Sequence, residues 1–129
     1  MTAVRAVATQ ACRAAANAPA FLSEVKARLG LQIDIISPEE EARLAMIGCA
    51  ALMDPAAAYA LVLDIGGGST EFTFIDLDAS HRPLHATPLA WASLPFGVVT
   101  MAERVQAGEP FAALQAEVAD AVAAIPSPP

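Results

Sequence analysis

The sequence predicts an α/β protein in which a mixed sheet is flanked by helices. Short apolar runs typical of strands alternate with Ala-rich segments whose apolar residues recur at helical spacing. At the centre, the stretch ALVLDIGGGSTEFTFI places three glycines between two strand-like runs, as in a β-hairpin. With 129 residues, 56% of them hydrophobic, the chain can bury a core and does not resemble a disordered tail.

The first half of the chain is predicted to contain two strands and three helices. Pro19 suits the first turn of a helix, and Gly30 is typical of a helix C-cap. Ser37 and Glu40 have the spacing of a capping box, so another helix is expected to begin there. The predicted elements are a strand at 4–8, a helix at 9–17, a helix at 19–29, a strand at 31–36 and a helix at 37–53.

The second half begins after Asp54 and Pro55, which end the preceding helix. It is predicted to contain strands at 60–65, 70–77 and 84–94, followed by helices at 98–105 and 111–125. The first half has the pattern of the end of one α/β unit, and the second half has the pattern of the start of another. We therefore expect a domain boundary in the segment 54–59.

Composition narrows the classes of function. The net charge is −7, which argues against a nucleic-acid-binding surface, because such a surface needs a basic stripe. No apolar run reaches the roughly 18 residues that a membrane-spanning helix needs, so no membrane partner is expected. Cys12 and Cys49 are far apart in sequence and suit reduced thiols in a cytoplasmic protein better than a disulfide.

The glycine-rich turn is predicted to bind an anion. Glycine can adopt positive φ angles, which allow successive backbone N–H groups to converge on an anion. The turn lacks the lysine of a GxxxxGK[ST] phosphate loop, and the chain continues as a strand instead of a helix. The alternative is an ordinary hairpin with solvated acids. The candidate phosphate-binding residues are Gly66, Gly67, Gly68, Ser69 and Thr70.

The same turn predicts a metal site formed by two acids. If Gly67 and Gly68 form a two-residue turn, Asp64 lies directly across from Glu71. Opposed residues in antiparallel strands have Cβ atoms about 5 Å apart, so the two carboxylates repel unless a cation or a proton lies between them. A hard cation that keeps several waters, such as Mg²⁺, suits this pair.

Three stretches resemble one known family. DIGGGSTEF, preceded by EEEARLAMIGCAAL and ATQACRAAANAPAFL, is similar to the exopolyphosphatase and guanosine pentaphosphate phosphohydrolase family of the actin-like ATPase superfamily. The resemblance extends from about Val4 to Arg104. It implies an RNase H-like fold in which residues 1–58 are the C-terminal part of the first lobe and residues 59–129 the N-terminal part of the second lobe.

The resemblance also implies an activity. Members of this family remove the terminal phosphate from inorganic polyphosphate or guanosine pentaphosphate (pppGpp) with Mg²⁺, and the full-length enzyme is expected to be a homodimer. The sequence lacks the DxGSNS-type phosphate loop with which the family begins, and the later part of the second lobe is absent. We therefore expect this chain to be an internal piece that is inactive alone.

The resemblance assigns roles to individual residues. Glu41, the glutamate that precedes Ala-Arg in EEEAR, is the expected general base, whereas Glu39 and Glu40 only favour the helix dipole. Arg13 is the expected phosphate clamp, because a cation in the first turns of a helix opposes the macrodipole and calls for an anionic partner. The alternative for Arg13 is an exposed arginine that aids solubility. Asp64 and Glu71 would bind the metal.

The remaining polar and aromatic residues receive structural interpretations. Asn17 is expected to cap a helix, and Arg43 to form a salt bridge. His81 and His85 are expected on the surface, and Trp91 and Phe96 in the core. Three other functions remain open: a non-catalytic module that binds phosphate or an alarmone, an actin-like kinase, and a structural piece of a larger protein.

Overall fold

The computed structural model describes residues 4–54, 56–77 and 88–126. It confirms the predicted α/β class. The elements, in chain order, are β1 (Ala6–Ala8), α1 (Gln10–Ala14), α2 (Ala18–Leu29), β2 (Ile33–Ile35), α3 (Pro38–Cys49), a 3-10 turn (Ala50–Leu52), β3 (Tyr59–Ile65), β4 (Thr70–Asp76), β5 (Pro88–Leu94), α4 (Val98–Gln106) and α5 (Phe111–Ala123).

The chain divides into two compact units, Met1–Glu41 and Ala42–Pro129. The division lies within α3, because Met46 in the second half of this helix packs against Val62 of β3 and Ile75 of β4. This division differs from the segment 54–59 in which a boundary was expected. The assignment of residues 1–58 and 59–129 to two lobes remains a prediction.

In the first unit, β1 and β2 form a parallel pair in which Ala6 lies opposite Ile33. The predicted helix at 9–17 is too long, because the chain becomes extended at Ala15 and ends α1 at Ala14. Asn17 occupies the N-cap position of α2, but its side chain makes no capping hydrogen bond. Gly30 ends α2 in the left-handed conformation, with φ 65°, as its sequence position predicts.

Ser37 lies immediately before α3 and caps its first turn, as the sequence predicts. The Glu40 N–H donates to the Ser37 hydroxyl at 3.2 Å, which is one half of the capping box. The Glu40 carboxylate accepts a hydrogen bond from Arg5 at 3.1 Å. The observed start of α3 therefore places the acidic run 39–41 in its first turn.

In the second unit, the three strands form an antiparallel sheet in the order β3-β4-β5. One face of the sheet carries the core residues Val62 and Ile75, which Met46 covers. The other face of β3 is apolar and exposed at Tyr59, Leu61, Leu63 and Ile65. Among the described helices, none is both long enough and apolar enough to cross a membrane.

Two aromatic and two histidine predictions have different outcomes. Trp91 is 40% exposed in β5, at the edge of the sheet, so its assignment to the core is wrong. Phe96 is partly buried. His81 and His85, together with residues 84–87 of the predicted third strand, lie outside the described residues.

Candidate functional site

The first unit brings together the two residues that were predicted to be catalytic. Arg13 lies in the last turn of α1, and Glu41 lies in the first turn of α3. The Arg13 Nη2 donates to Glu41 Oε2 at 2.9 Å, and its Nη1 donates to the Ile36 carbonyl oxygen at 2.7 Å. The side chains of Arg13 and Glu41 are only 22% and 15% exposed, so the ion pair is partly shielded from water.

This geometry corrects two arguments about Arg13. Arg13 lies in the last turn of α1, where the helix dipole favours a cation. The predicted unfavourable interaction between Arg13 and the helix dipole is therefore wrong. The alternative of an exposed, solubilising arginine is also wrong, because Arg13 is partly buried and holds two partners. The role of Arg13 as a phosphate clamp remains a prediction.

The neighbouring acids Glu39 and Glu40 have different surroundings from Glu41, as expected. Glu39 is exposed, and Glu40 pairs with Arg5, whose side chain is itself largely exposed. Glu41 is therefore distinguished from both by its partly buried arginine partner. The ion pair holds the Glu41 carboxylate in one orientation, which is what a group that positions a water molecule requires.

The second unit contains the glycine hairpin with the predicted register. The Gly66 N–H donates to the Ser69 carbonyl at 2.9 Å, so Gly67 and Gly68 form the turn. Asp64 is the direct partner of Glu71 in the β3–β4 ladder. This register is confirmed, and it follows from the two-residue turn because turn length sets the pairing of the strands.

The backbone of the turn differs from the predicted anion nest. Among the described glycines, those with positive φ are Gly30 and Gly108, so the left-handed conformation predicted for the turn is wrong. The turn is shaped instead by α4. The Val98 N–H donates to the Gly66 carbonyl at 3.0 Å, and the N–H groups of Val99 and Thr100 donate to the Gly67 carbonyl at 2.9 and 3.2 Å.

These three hydrogen bonds determine which polar groups of the turn point away from α4. In a planar trans peptide, the C=O of one residue and the N–H of the next point in opposite directions. Because the carbonyls of Gly66 and Gly67 point at α4, the N–H groups of Gly67 and Gly68 point away from it. Within the described residues, neither N–H donates to another main-chain carbonyl. Two adjacent donors are thus directed to the same side of the turn.

Ser69 and Thr70 are held within the structure. Ser69 is buried, and the Thr70 hydroxyl donates to the carbonyl of Phe96. Thr70 therefore fastens the start of β4 to the segment that precedes α4. The phosphate-binding roles predicted for both residues remain predictions.

The two acids of the hairpin have unequal surroundings. Glu71 is 1% exposed on the central strand, and it accepts a hydrogen bond from the Ser93 hydroxyl of β5 at 2.8 Å. Asp64 is partly buried on the edge strand β3. Across the described ranges, no group of three or more His, Cys, Asp or Glu side chains converges on one point. The donor set of two carboxylates fits Mg²⁺, which commonly binds one or two carboxylates and keeps several waters.

Sequence reasoning missed one residue of this site. Gly97 precedes α4 and packs directly on the peptide between Gly67 and Gly68. The pattern LPFGVVTMAER contains the available signal, a glycine immediately before a helix. That signal is weak, because a glycine at this position is also a common helix N-cap.

Known proteins of one family resemble most of this chain. The family model described as the Ppx/GppA phosphatase family matches residues 1–129. The chain is 42% identical over 102 residues to a guanosine-5'-triphosphate,3'-diphosphate pyrophosphatase of Photobacterium profundum, an alignment that covers 78% of this chain and 18% of that protein. The chain thus spans less than a fifth of the length of this curated relative.

Solved structures show the same similarity. An exopolyphosphatase-like protein superposes with a TM-score of 0.68 at 34% identity, covering 81% of this chain and 32% of that structure. The Aquifex aeolicus member of the Ppx/GppA family superposes with a TM-score of 0.58 at 38% identity, covering 78% of this chain and 30% of that structure. These similarities confirm the predicted actin-like ATPase fold class.

Proposed function

This chain belongs to the Ppx/GppA phosphatase family, and we propose that it is part of a hydrolase that releases the terminal phosphate from inorganic polyphosphate or guanosine pentaphosphate. The observation that carries the proposal is the ion pair between Arg13 and Glu41, which are 28 residues apart in sequence. A partly buried carboxylate held by a guanidinium is suited to orienting a water molecule beside an anionic substrate.

In the proposed reaction, water attacks the terminal phosphorus and the bond to the leaving phosphate oxygen breaks. Glu41 orients the water and accepts its proton. Arg13 uses one N–H on Glu41 and one on the Ile36 carbonyl, and its guanidinium carries further donors for a phosphoryl oxygen. Arg13 therefore acts as a positioning residue for Glu41 and as a stabiliser of charge on the phosphoryl group.

The glycine hairpin supplies the second part of the proposal. The N–H groups of Gly67 and Gly68 bind phosphate oxygens, because both point to the same side of the turn and are available as donors. Ser69 and Thr70 support the turn from the start of β4. Asp64 and Glu71 would hold Mg²⁺ through its waters, and the metal would neutralise negative charge on the phosphate chain.

The proposal extends to the compartment and the assembly of the whole protein. Both Cys12 and Cys49 are free thiols, which supports a reducing compartment such as the cytoplasm. The exposed apolar face of β3 supports self-association, and we propose that the full-length protein is a homodimer.

Phosphate release tests this proposal directly. We would measure Mg²⁺-dependent release from polyphosphate and guanosine pentaphosphate by this chain alone and by the chain joined to the flanking segments of a full-length family member. Glu41→Gln is the test variant, and Glu39→Gln is the matched control because Glu39 is an exposed acid in the same helical turn. We expect Glu41→Gln to abolish release and Glu39→Gln to retain it.

The alternative functions give different results in the same assay. If Glu41→Gln leaves release unchanged, Glu41 is not the base. If no protein releases phosphate but polyphosphate still binds, the site belongs to a non-catalytic binding module. Transfer of phosphate from ATP to an acceptor identifies a kinase instead of a hydrolase.

A further inference from the structure

Gly97 is held against the glycine turn more closely than any side chain would permit. A Cβ built on Gly97 would lie 2.3 Å from the Gly67 carbonyl carbon and 2.4 Å from both the Gly67 oxygen and the Gly68 nitrogen. These are backbone atoms, so they cannot move aside as the end of a flexible side chain can. Any other residue at position 97 must displace the Gly67–Gly68 peptide or the start of α4.

Two glycines of the turn, Gly66 and Gly67, are less constrained than Gly97. A Cβ on Gly66 would have its nearest contact at 3.4 Å, from the Ser69 carbonyl oxygen, and a Cβ on Gly67 would have its nearest contact at 3.4 Å, from a Val99 methyl group. Gly66 and Gly67 also lack the positive φ that would exclude other residues. Of these three glycines, Gly97 has the strictest steric requirement, and it lies outside the DIGGGSTEF motif.

The close approach of Gly97 brings the N-terminus of α4 onto the turn. The first N–H groups of α4 donate to the Gly66 and Gly67 carbonyls, so the positive end of the helix dipole acts on these two peptides. A carbonyl that accepts a hydrogen bond polarises its peptide group and strengthens the N–H on the opposite side as a donor. The N–H groups strengthened in this way are those of Gly67 and Gly68.

Hydrogen bonds from two threonines hold the segment before α4 in this position. The Gly97 N–H donates to the Thr100 Oγ1 at 3.0 Å, and that hydroxyl donates to the Gly97 carbonyl at 3.1 Å. The Thr70 hydroxyl donates to the neighbouring Phe96 carbonyl. The segment before α4 is thus attached both to its own helix and to β4, which leaves the turn little freedom to rotate its peptides.

We propose that Gly97 and Thr100 are positioning residues that aim the N–H groups of Gly67 and Gly68 at a phosphate group. They act through the backbone of the turn and do not touch the phosphate themselves. This inference rests on the proposed function, because it requires the turn to bind phosphate. It goes further by assigning the geometry of the binding groups to residues about 30 positions beyond the turn.

The test is a titration of the ¹⁵N-labelled chain with tripolyphosphate in the presence of Mg²⁺, followed by the amide resonances of Gly67 and Gly68. In the wild type, we expect both resonances to shift on binding. Gly97→Ala should weaken binding by about tenfold or more, because two charge-assisted hydrogen bonds lose their alignment. Gly48→Ala is the matched control, since a Cβ on Gly48 meets nothing within 4 Å. Its binding should equal that of the wild type.

A second pair of variants decides the question if Gly97→Ala does not fold. Thr100→Val removes the hydroxyl that holds Gly97 and should weaken binding by roughly fivefold, whereas Thr100→Ser keeps the hydroxyl and should restore it. Loss of stability alone would move the unfolding midpoint without changing the shifts of Gly67 and Gly68 at saturation. Changed saturation shifts that Thr100→Ser restores support the proposal.

The two proposals fail in different ways. If the wild type shows no shift at Gly67 and Gly68, the turn does not bind phosphate and the proposed function fails at this loop. If the wild type binds, and a folded Gly97→Ala or Thr100→Val variant binds equally well with the same shifts, the positioning role of Gly97 and Thr100 is overturned.

Discussion

Asp64 and Glu71 lie directly opposite each other across β3 and β4, and the Glu71 side chain is buried beneath the hairpin. Two carboxylates at one rung of a ladder repel each other when both are charged. The Ser93 hydroxyl satisfies one oxygen of Glu71 but does not neutralise its charge. A divalent cation would remove this repulsion, which makes stability a direct measure of metal binding.

We predict that Mg²⁺ stabilises the chain through this pair. A ligand that binds only the folded state raises the free energy of unfolding by about 2.7 kcal/mol when its free concentration is about 100 times its Kd. Glu71→Gln keeps an acceptor for Ser93 but loses the charge, so most of the Mg²⁺-dependent gain should disappear. Urea unfolding with and without Mg²⁺ measures this effect.

Asp120→Asn, at an exposed position of α5, is the control and should respond to Mg²⁺ as the wild type does. An equal response of Glu71→Gln and the wild type would rule out the pair as a metal site.

We predict a measurable coupling between Arg13 and Glu41. Because both side chains are mostly buried, removing either one leaves an unpaired charge with little access to water, so the two single variants should each cost more than the pair contributes. A double-mutant cycle with Arg13→Met and Glu41→Gln should give a coupling energy of about 1–3 kcal/mol.

The exposed pair of Arg28 and Glu24, with exposures of 74% and 63%, is the control and should couple by only about 0.3–0.5 kcal/mol. Equal coupling in both cycles would contradict the shielding of the Arg13–Glu41 pair.

We predict that Glu109 makes stability fall in acid. The hydrogen bond from Arg104 lowers the pKa of Glu109 below its ordinary value of 4.5. A carboxyl group whose pKa is lower in the folded state stabilises the protein above its unfolded pKa, and that contribution is lost as the pH falls through the folded pKa. Glu109→Gln should therefore lose less stability than the wild type on acidification from neutral pH. Thermal unfolding across the acid range measures the difference, and Glu103→Gln, an exposed acid of α4, should follow the wild type. Parallel curves for Glu109→Gln and the wild type would refute the prediction.

We predict that Met46 makes a stabilising contact between the second half of α3 and the sheet. It is 1% exposed and packs against Val62 and Ile75. Met46→Ala should lower the free energy of unfolding by about 2–5 kcal/mol, because it removes buried methylene and sulfur contacts and leaves a cavity. Leu52→Ala is the control: Leu52 is 85% exposed, and its truncation should change stability by no more than about 0.5 kcal/mol. Chemical denaturation measures the free energy of unfolding of both variants. If Met46→Ala lowers it by less than about 1 kcal/mol, the contact of Met46 with the sheet is not an important part of the core.

Local features of the site were predictable because neighbouring residues encode them. The Gly67–Gly68 turn sets the register of β3 and β4, and with it the pairing of Asp64 and Glu71. Ser37 and Glu40 mark the start of α3 because a side-chain hydroxyl satisfies a free N–H within the same turn. These features depend on hydrogen bonds and side-chain periods that span only a few residues.

The sequence by itself thus determined the α/β class, the hairpin register and the first turn of α3, all of which follow from short-range hydrogen bonding and periodicity. Only the tertiary structure decided that Arg13 meets Glu41, because the partners come from α1 and α3, which are separated in sequence by α2 and β2. Only the tertiary structure, likewise, decided how the glycine turn orients its peptides. The turn has no left-handed glycine because α4 supplies the donors that hold its carbonyls, and α4 can approach only because Gly97 has no side chain. Such contacts between distant segments depend on how packed elements fit together, which no local pattern specifies.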